Sequence, residues 1–140
     1  MSSTYIPSTL RRLVYDRAKG CCEYCWISDA TAFAPHEIDH IIAEKHGGLT
    51  EADNLALSCV LCNKHKGSDI ASIDLETGEV VPLYNPRRDS WHEHFRLSDA
   101  EFIPLTPKGR VTVRLVQLNR SDRIEERKLL IEAEMFNLPD

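Results

Sequence analysis

The sequence has no hydrophobic run long enough to cross a lipid bilayer, which takes about 20 predominantly apolar residues in a helix. Its first ten residues, MSSTYIPSTL, contain no apolar segment of the kind found in export signals. Internal repeats and low-complexity tracts are absent as well. Hydrophobic residues make up 42% and charged residues 28% of the 140 positions, which is ordinary globular usage and argues against disorder. We therefore expect a soluble cytoplasmic protein with no membrane partner and about one domain's worth of chain.

Cysteine is missing from the last 78 residues, and all five cysteines lie between positions 21 and 62. Four of them form two Cys-x-x-Cys pairs, Cys22 with Cys25 and Cys59 with Cys62. In a reducing compartment this spacing indicates a metal site rather than disulfides. Two such pairs complete a closed tetrahedral shell of four thiolates, which predicts a structural Zn²⁺ ion; the alternative is a set of buried free thiols. Cys21 lies outside both pairs, and we expect it to take no part in binding the zinc ion.

Positive charge is in the minority, with 17 Lys and Arg against 22 Asp and Glu and a net charge of −5. This balance argues against indiscriminate binding to a polyanion, but it leaves room for a local basic surface. Taken one at a time, basic clusters are typical of solvated surfaces. The clusters lie at residues 11–19, 64–66, 87–88 and 108–114.

The pattern of the first half predicts a helix, a hairpin and a second helix. The first helix covers 8–20, capped by its first residue, a serine, and closed by a glycine. β-Branched residues predict a strand within 34–43, and a short return strand follows at 55–58. The next helix starts inside the second cysteine pair and covers 60–70, with an interruption or end near Gly67.

Turn signals and apolar patterning in the second half predict two hairpins and two helices. The hairpins pair 72–75 with 79–83 and 94–97 with 101–105. The first helix covers 106–119 and is capped by Thr106, and the second covers 121–136. The last helix is expected to present an apolar face made of Ile124, Leu130, Ile131 and Met135. We divide the chain into a module at 1–72 and an extension at 73–140, which is expected to pack on the module as part of one domain without a sharp boundary.

A series of short motifs lies between and beside the cysteine pairs. In order, these are Asp39-His40-Ile41, Gly47-Gly48, Asn54-Leu55 and Cys62-Asn63-Lys64-His65-Lys66-Gly67. In this order the sequence resembles the HNH endonuclease family, whose zinc-containing members carry C-x2-C, D-H-I, G-G, N-L and C-x2-C-N-x2-K-G. The resemblance covers residues 22–67, about a third of the chain. It implies an α+β fold with a ββα-metal (HNH, or His-Me finger) core and two zinc knuckles, here with an N-terminal helix and a C-terminal extension of hairpins and two helices.

The resemblance also implies roles for individual residues. His40 takes the position of the family's general base, and Asp39 that of a ligand of the catalytic divalent ion, Mg²⁺ or another. Asn63 takes the place of the second ligand, and Asn54 is the central asparagine that braces the hairpin loop. His65, two residues past Asn63, is a secondary candidate for a ligand.

The chemistry of these residue types suits phosphodiester hydrolysis. A neutral imidazole with a pKa near ~6.5 can take a proton from water at physiological pH. A divalent ion held by a carboxylate and a carboxamide oxygen keeps open positions for phosphate oxygens. Basic residues expected to contact flanking phosphates are Lys64, Lys66, Arg11 and Arg12. Because successive strand residues face opposite sides, we expect a bend or bulge that lets Asp39 and His40 converge.

The sequence therefore predicts a metal-dependent HNH endonuclease that acts on DNA. Two alternatives remain: a catalytically silent zinc-containing DNA-binding module, and a module whose partner is another protein rather than DNA. One module has one active site, so cutting both DNA strands requires a homodimer or two successive events.

Overall fold

The first described element is a helix, α1 (Ser8–Arg17), in a computed structural model that describes residues 4–140. Pro7 occupies the N-cap position and no side chain caps the helix, so the prediction that Ser8 caps it is wrong. The helix also ends before Gly20, because Lys19 takes a positive φ of 54° and Gly20 one of 71°. Val14 is fully buried on the inner face of α1, within a small core completed by Ile6, Ala18, Leu55 and Leu57.

An antiparallel hairpin follows, made of β1 (Glu37–His40) and β2 (Leu55–Ser58). The pairing is one residue to one residue, and the backbone N–H of Ile41 continues it with a hydrogen bond of 2.9 Å to the carbonyl of Asn54. The paired strand therefore contains no bulge, but the backbone bends directly after it, at Ile41 and Ile42, which is where a bend or bulge is expected from the sequence. All four residues of β2 are buried. Its backbone groups find partners on β1 and beyond it, since the carbonyl of Leu55 accepts from the Arg17 side chain and the N–H of Leu57 donates to the Glu23 carboxylate.

Helix α2 (Val60–Lys66) completes the ββα core that the sequence predicted. It begins after Cys59, whose Sγ accepts a hydrogen bond from the backbone N–H of Cys62 at 3.3 Å. It ends at Gly67, which confirms the predicted interruption or end at this residue, in a backbone conformation with φ 54° that favours glycine. The side of β1 that carries Glu37 and Asp39 faces this helix, as their hydrogen bonds to Asn63 and Lys66 demonstrate.

The chain forms two compact units, Met1–Ile70 and Ala71–Asp140. Both hairpins and both long helices predicted for the second half are present, together with one short helix that the pattern did not indicate. In chain order the second unit contains β3 (Ala71–Ile73), β4 (Val80–Pro82), α3 (Trp91–His94), β5 (Phe95–Ser98), β6 (Glu101–Pro104), α4 (Pro107–Leu115) and α5 (Ser121–Glu132). Strand β3 pairs with β4 and β5 with β6, both antiparallel, and α4 packs against both hairpins.

Helix α4 begins as predicted, since Thr106 Oγ1 accepts a hydrogen bond from the backbone N–H of Gly109 at 3.0 Å. It ends four residues before Asn119, the predicted stop. Asn119 instead hydrogen-bonds the backbone of Phe102 through both its oxygen and its nitrogen, at 2.9 and 2.7 Å. Within residues 4–140, no helix combines the length and the apolar composition needed to cross a membrane.

Helix α5 buries arginines rather than the predicted apolar face. Arg123 and Arg127 are only 5% and 4% exposed, whereas Met135 lies beyond the helix and is 51% exposed. Arg127 donates to the carbonyls of Ala100 and Leu118 at 2.8 Å each. Arg123 likewise donates to carbonyls at the end of α4. The apolar-face prediction failed because these guanidinium groups satisfy carbonyls that have no helical partner.

Candidate active site and metal centre

The four paired cysteines converge as their spacing predicted. The Sγ atoms of Cys22, Cys25, Cys59 and Cys62 all lie within 4.8 Å of one another, and all four residues are buried. In each pair, the backbone N–H of the second cysteine points at the sulfur of the first, at 3.5 Å in one pair and 3.3 Å in the other. Cys21 lies outside the cluster, half-buried, with its sulfur 3.7 Å from the carbonyl of Lys19.

The chemistry of this donor set fits a structural Zn²⁺ ion. Four sulfur donors in a closed shell are a typical tetrahedral zinc site and leave no position for a substrate. Burial raises the pKa of the Cys22 and Cys62 thiols well above the usual range, so an uncompensated cluster favours thiols. A zinc ion binds the deprotonated form, and folding and metal binding are coupled at such sites.

The first cysteine pair is attached to the hairpin through Glu23, a residue that the sequence patterns did not single out. Its backbone N–H donates to the carbonyl of Leu57 at 2.8 Å, and its carboxylate accepts from the N–H of Leu57 at 2.9 Å. Glu23 is only 5% exposed. These two bonds hold the knuckle against β2, which leads directly into the second cysteine pair.

A cleft of about 940 Å³ lies beside β1 and α2. Asp39, His40 and Asn63 all line it, so the structure brings together the three residues that the HNH resemblance assigned to base and ion. Glu37 and Glu44 also line the cleft, and neither was predicted. The donor set of one carboxylate and one carboxamide suits a hard divalent cation such as Mg²⁺.

Asp39 is buried between a tyrosine and a lysine. One carboxylate oxygen accepts from the hydroxyl of Tyr24 at 2.8 Å, and Lys66 Nζ lies 3.2 and 3.1 Å from the two oxygens. Burial raises the pKa of Asp39, and the charge of Lys66 opposes that shift. Lys66 is only 2% exposed and also donates to the carbonyl of His40, so the prediction that it contacts DNA phosphates is wrong for this structure.

The His40 ring lies on the opposite side of β1 from Asp39, as strand geometry requires, and both residues border the cleft where the strand ends. Its Nε2 atom is 2.8 Å from Thr50 Oγ1 and 3.9 Å from a carboxylate oxygen of Glu44. Thr4 in turn donates from its hydroxyl to the Glu44 carboxylate at 2.9 and 2.7 Å. The loop after β1 therefore holds the imidazole through Thr50, which the sequence patterns did not indicate.

Asn54 joins the two ends of the hairpin loop. Its Oδ1 accepts from the N–H of Ile42, and its Nδ2 donates to the carbonyls of Ile42 and Leu49, each at 2.9 Å. A Cβ atom on Gly48 would lie 1.7 Å from the carbonyl oxygen of Ile42, so this close approach requires glycine. Asn54 is not one of the described residues that line the cleft. Its three hydrogen bonds join the two ends of the hairpin loop.

The remaining predicted residues are spread around the module. Arg11 is exposed, lines the cleft and donates from Nε to the carbonyl of Ile6 at 3.0 Å. Arg12 and Lys64 are exposed, but neither is among the described residues that line the cleft. His65 is also outside that lining and joins no group of potential metal ligands within residues 4–140.

Comparison with known proteins bears on the same region. Residues 22–69 match the family model for HNH endonucleases. The chain is also similar to the Septu protein PtuB of Bacillus mycoides (strain KBAB4), with 28% identity over 152 aligned positions that cover 88% of this chain and 51% of PtuB. The chain thus spans about half the length of this curated relative. No solved structure gives a significant match.

Proposed function

We propose that the HNH endonuclease domain at residues 22–69 hydrolyses DNA phosphodiester bonds in a reaction that depends on a divalent ion. The observation that carries this proposal is the shared cleft of Asp39, His40 and Asn63. A module that only bound DNA would have no need of a histidine, a carboxylate and a carboxamide in one cleft. Zinc in the four-cysteine cluster is structural in this proposal, because its shell is closed.

His40 acts as the general base. It accepts a proton from the attacking water, which forms the new bond to phosphorus while the bond to the 3′-oxygen breaks. The departing 3′-oxygen takes up a proton from solvent water, and the products are a 5′-phosphate and a 3′-hydroxyl. The hydrogen bond between Nε2 and the Thr50 hydroxyl restricts rotation of the ring. In this proposal Nε2–H donates to Thr50 Oγ1, which leaves the lone pair of Nδ1 to accept the proton.

Asp39 and the side-chain oxygen of Asn63 would hold the divalent ion at the cleft. When bound, the ion supplies positive charge against the phosphate oxygens and the departing 3′-oxygen. Lys66 and Tyr24 orient the Asp39 carboxylate through their hydrogen bonds. These bonds leave the carboxylate further acceptor capacity, since an ionised carboxylate has about four lone-pair sites.

Positive side chains at the cleft are suited to hold the DNA backbone. Arg11 and Lys45 line the cleft, and Lys45 was not singled out by the sequence patterns. Arg12 and Lys64 are exposed and are proposed to meet phosphates further along the strand. Because the net charge of the chain is −5, binding should depend on these local contacts and weaken steeply with salt.

The test is cleavage of supercoiled plasmid with Mg²⁺, Mn²⁺ or Ni²⁺. We expect nicked circles to form before linear DNA, because one domain provides one active site; direct linearisation would indicate a second copy acting in the same event. His40→Ala should lower the cleavage rate by about 10²–10⁴-fold while zinc content, melting temperature and DNA affinity are kept. His46→Ala is the matched control, since His46 is exposed and lies outside the described cleft lining.

Three outcomes separate this proposal from its alternatives. Cleavage by His40→Ala at the wild-type rate would remove the general-base role. Asn63→Ala and Asp39→Ala should need more added ion, and a normal ion response in either variant would remove that residue as a ligand. If the protein binds DNA but does not cleave it with any of the ions, it is a silent DNA-binding module. If it does not bind DNA even at low salt, its partner is a protein.

A further inference from the structure

We infer that Glu37 is a positioning residue, which orients the side-chain amide of Asn63 so that its oxygen faces the cleft. This inference rests on the proposed role of Asn63 as an ion ligand. Asn63 Nδ2 donates to Glu37 Oε1 at 2.8 Å, and both residues line the cleft. An ionised carboxylate only accepts hydrogen bonds, so the nitrogen end of the amide must face Glu37.

The other end of the amide is left open. Asn63 is half-buried, and within residues 4–140 no hydrogen bond reaches its Oδ1. If the amide were rotated by 180°, two oxygen acceptors would face each other and the NH₂ group would point where a cation has to bind. Glu37 therefore selects the one orientation in which Asn63 offers an oxygen.

The register of the hairpin explains why residue 37 can do this. Side chains two apart on a strand share a face, and side chains three apart on a helix are neighbours. Glu37 and Asp39 therefore meet Asn63 and Lys66 of α2 in two adjacent contacts, 2.8 Å for the first pair and 3.1 Å for the second. The backbone pairing of Glu37 with Ser58 fixes its place along the strand.

The alternative is that Glu37 is itself a third ligand, and a double-mutant cycle on Mn²⁺ binding separates the two roles. Binding is measured by calorimetry on the full-length, zinc-loaded chain. Glu37→Ala should weaken Mn²⁺ binding by roughly 10- to 100-fold, the usual effect of removing a partner that orients a ligand. Glu37→Gln should keep most of the affinity, because its amide oxygen can still accept from Asn63.

In the Asn63→Ala background, Glu37→Ala should cause no further loss of Mn²⁺ affinity. An equal loss with and without the Asn63 side chain would overturn the inference, as would Glu37→Gln behaving like Glu37→Ala or Glu37→Ala binding normally. Failure of the proposed function is seen separately, as Asn63→Ala binding Mn²⁺ like the wild type. Glu51→Ala removes an exposed carboxylate outside the described cleft lining and should bind normally, and zinc content and thermal melting show that each variant is folded.

Discussion

The two units have the same number of residues but are stabilised by different chemistry. Unit 1, Met1–Ile70, contains every cysteine, and its small aliphatic core involves α1 and β2. Unit 2, Ala71–Asp140, has no cysteine and packs aromatic rings instead. The ring of Trp91 is stacked on that of Phe95, with centroids 5.3 Å apart, and lies edge-on to that of Phe102, with centroids 5.6 Å apart. The unit that carries the candidate active site is therefore also the one that contains the four-cysteine cluster, whose donor set fits a structural zinc ion.

A second difference lies in the ion pair that each unit forms between a buried aspartate and a basic side chain. In unit 1 Asp39 and Lys66 are both buried, 4% and 2% exposed, and Asp39 lines the cleft. In unit 2 Asp74 is buried but its partner Arg110 is 28% exposed at the side chain, and the two make a bidentate contact of 3.0 and 2.8 Å. Breaking the fully buried pair should cost more, because the remaining charge cannot reach water.

The largest effect should come from the cysteine cluster. Cys59→Ser removes one of four ligands, and the coupled zinc-binding free energy at such sites is about 10 kcal/mol or more, so unit 1 should lose zinc and unfold. Each unit has one tryptophan, Trp26 in unit 1 and Trp91 in unit 2, so single-tryptophan variants report each unit by fluorescence. Trp26 should become solvent-exposed, with a smaller change at Trp91.

The matched control is Cys21→Ser, which changes the neighbouring cysteine outside the cluster and should keep its zinc. A folded, zinc-free Cys59→Ser protein would contradict the four-cysteine assignment. It would also remove the contrast between the units, because both would then be held by packing alone.

The next effect concerns Lys66. Lys66→Met leaves the Asp39 carboxylate buried with Tyr24 as its remaining side-chain donor, which should destabilise unit 1 by about 3–5 kcal/mol. Urea unfolding followed at Trp26 measures it, and Lys64→Met on the same helix should change stability by less than ~0.5 kcal/mol because Lys64 is exposed. Adding Asp39→Asn to Lys66→Met should recover part of the loss; no recovery would show that the ammonium acts through packing instead.

Much of unit 1 could be predicted because its signals are local. Cysteine spacing predicted the cluster, turn glycines and apolar runs predicted the ββα order, and the ordered motifs predicted residues that the structure brings to one cleft. These features depend on covalent reach and on the period of a strand or helix. The roles of Asp39, His40 and Asn63 in catalysis stay predictions.

What could not be predicted depends on partners far apart in the sequence. Lysine is usually a surface residue, yet Lys66 is buried because it pairs with Asp39, which lies 27 positions earlier on the facing strand. Arg127 belongs to a helix whose apolar residues suggested another buried face, but the carbonyl of Ala100 lies within reach. Long basic side chains carry apolar stems that bury easily once such acceptors exist, and no periodicity reveals them.

The smallest effect is expected at Asp74. The Arg110 guanidinium, with the N–H of Glu76 and the hydroxyl of Thr77, holds the pKa of this carboxyl well below its usual range. Asp74→Asn keeps the shape but loses the charge, so unit 2 should be destabilised at pH 7, by less than unit 1 is in Lys66→Met. Because the pKa is lowered by folding, the stabilisation is complete above the unfolded value of about 3.9 and is lost as the pH falls below it.

The difference in stability between wild type and Asp74→Asn should therefore be constant from pH 7 to about 5 and shrink below about pH 4, since the unfolded chain takes up the proton first. Urea unfolding in a Trp26→Phe background, followed at Trp91, measures unit 2 without interference from the cysteines of unit 1, which also take up protons as they lose zinc in acid. Asp99→Asn makes the same charge change at an exposed position of unit 2 and should have little effect at any pH. If the difference in stability between wild type and Asp74→Asn is unchanged at pH 3, Asp74 stabilises unit 2 through hydrogen-bond geometry and not through its charge. The two units would then no longer differ in the way proposed, with a buried ion pair in unit 1 and a charge-dependent pair in unit 2.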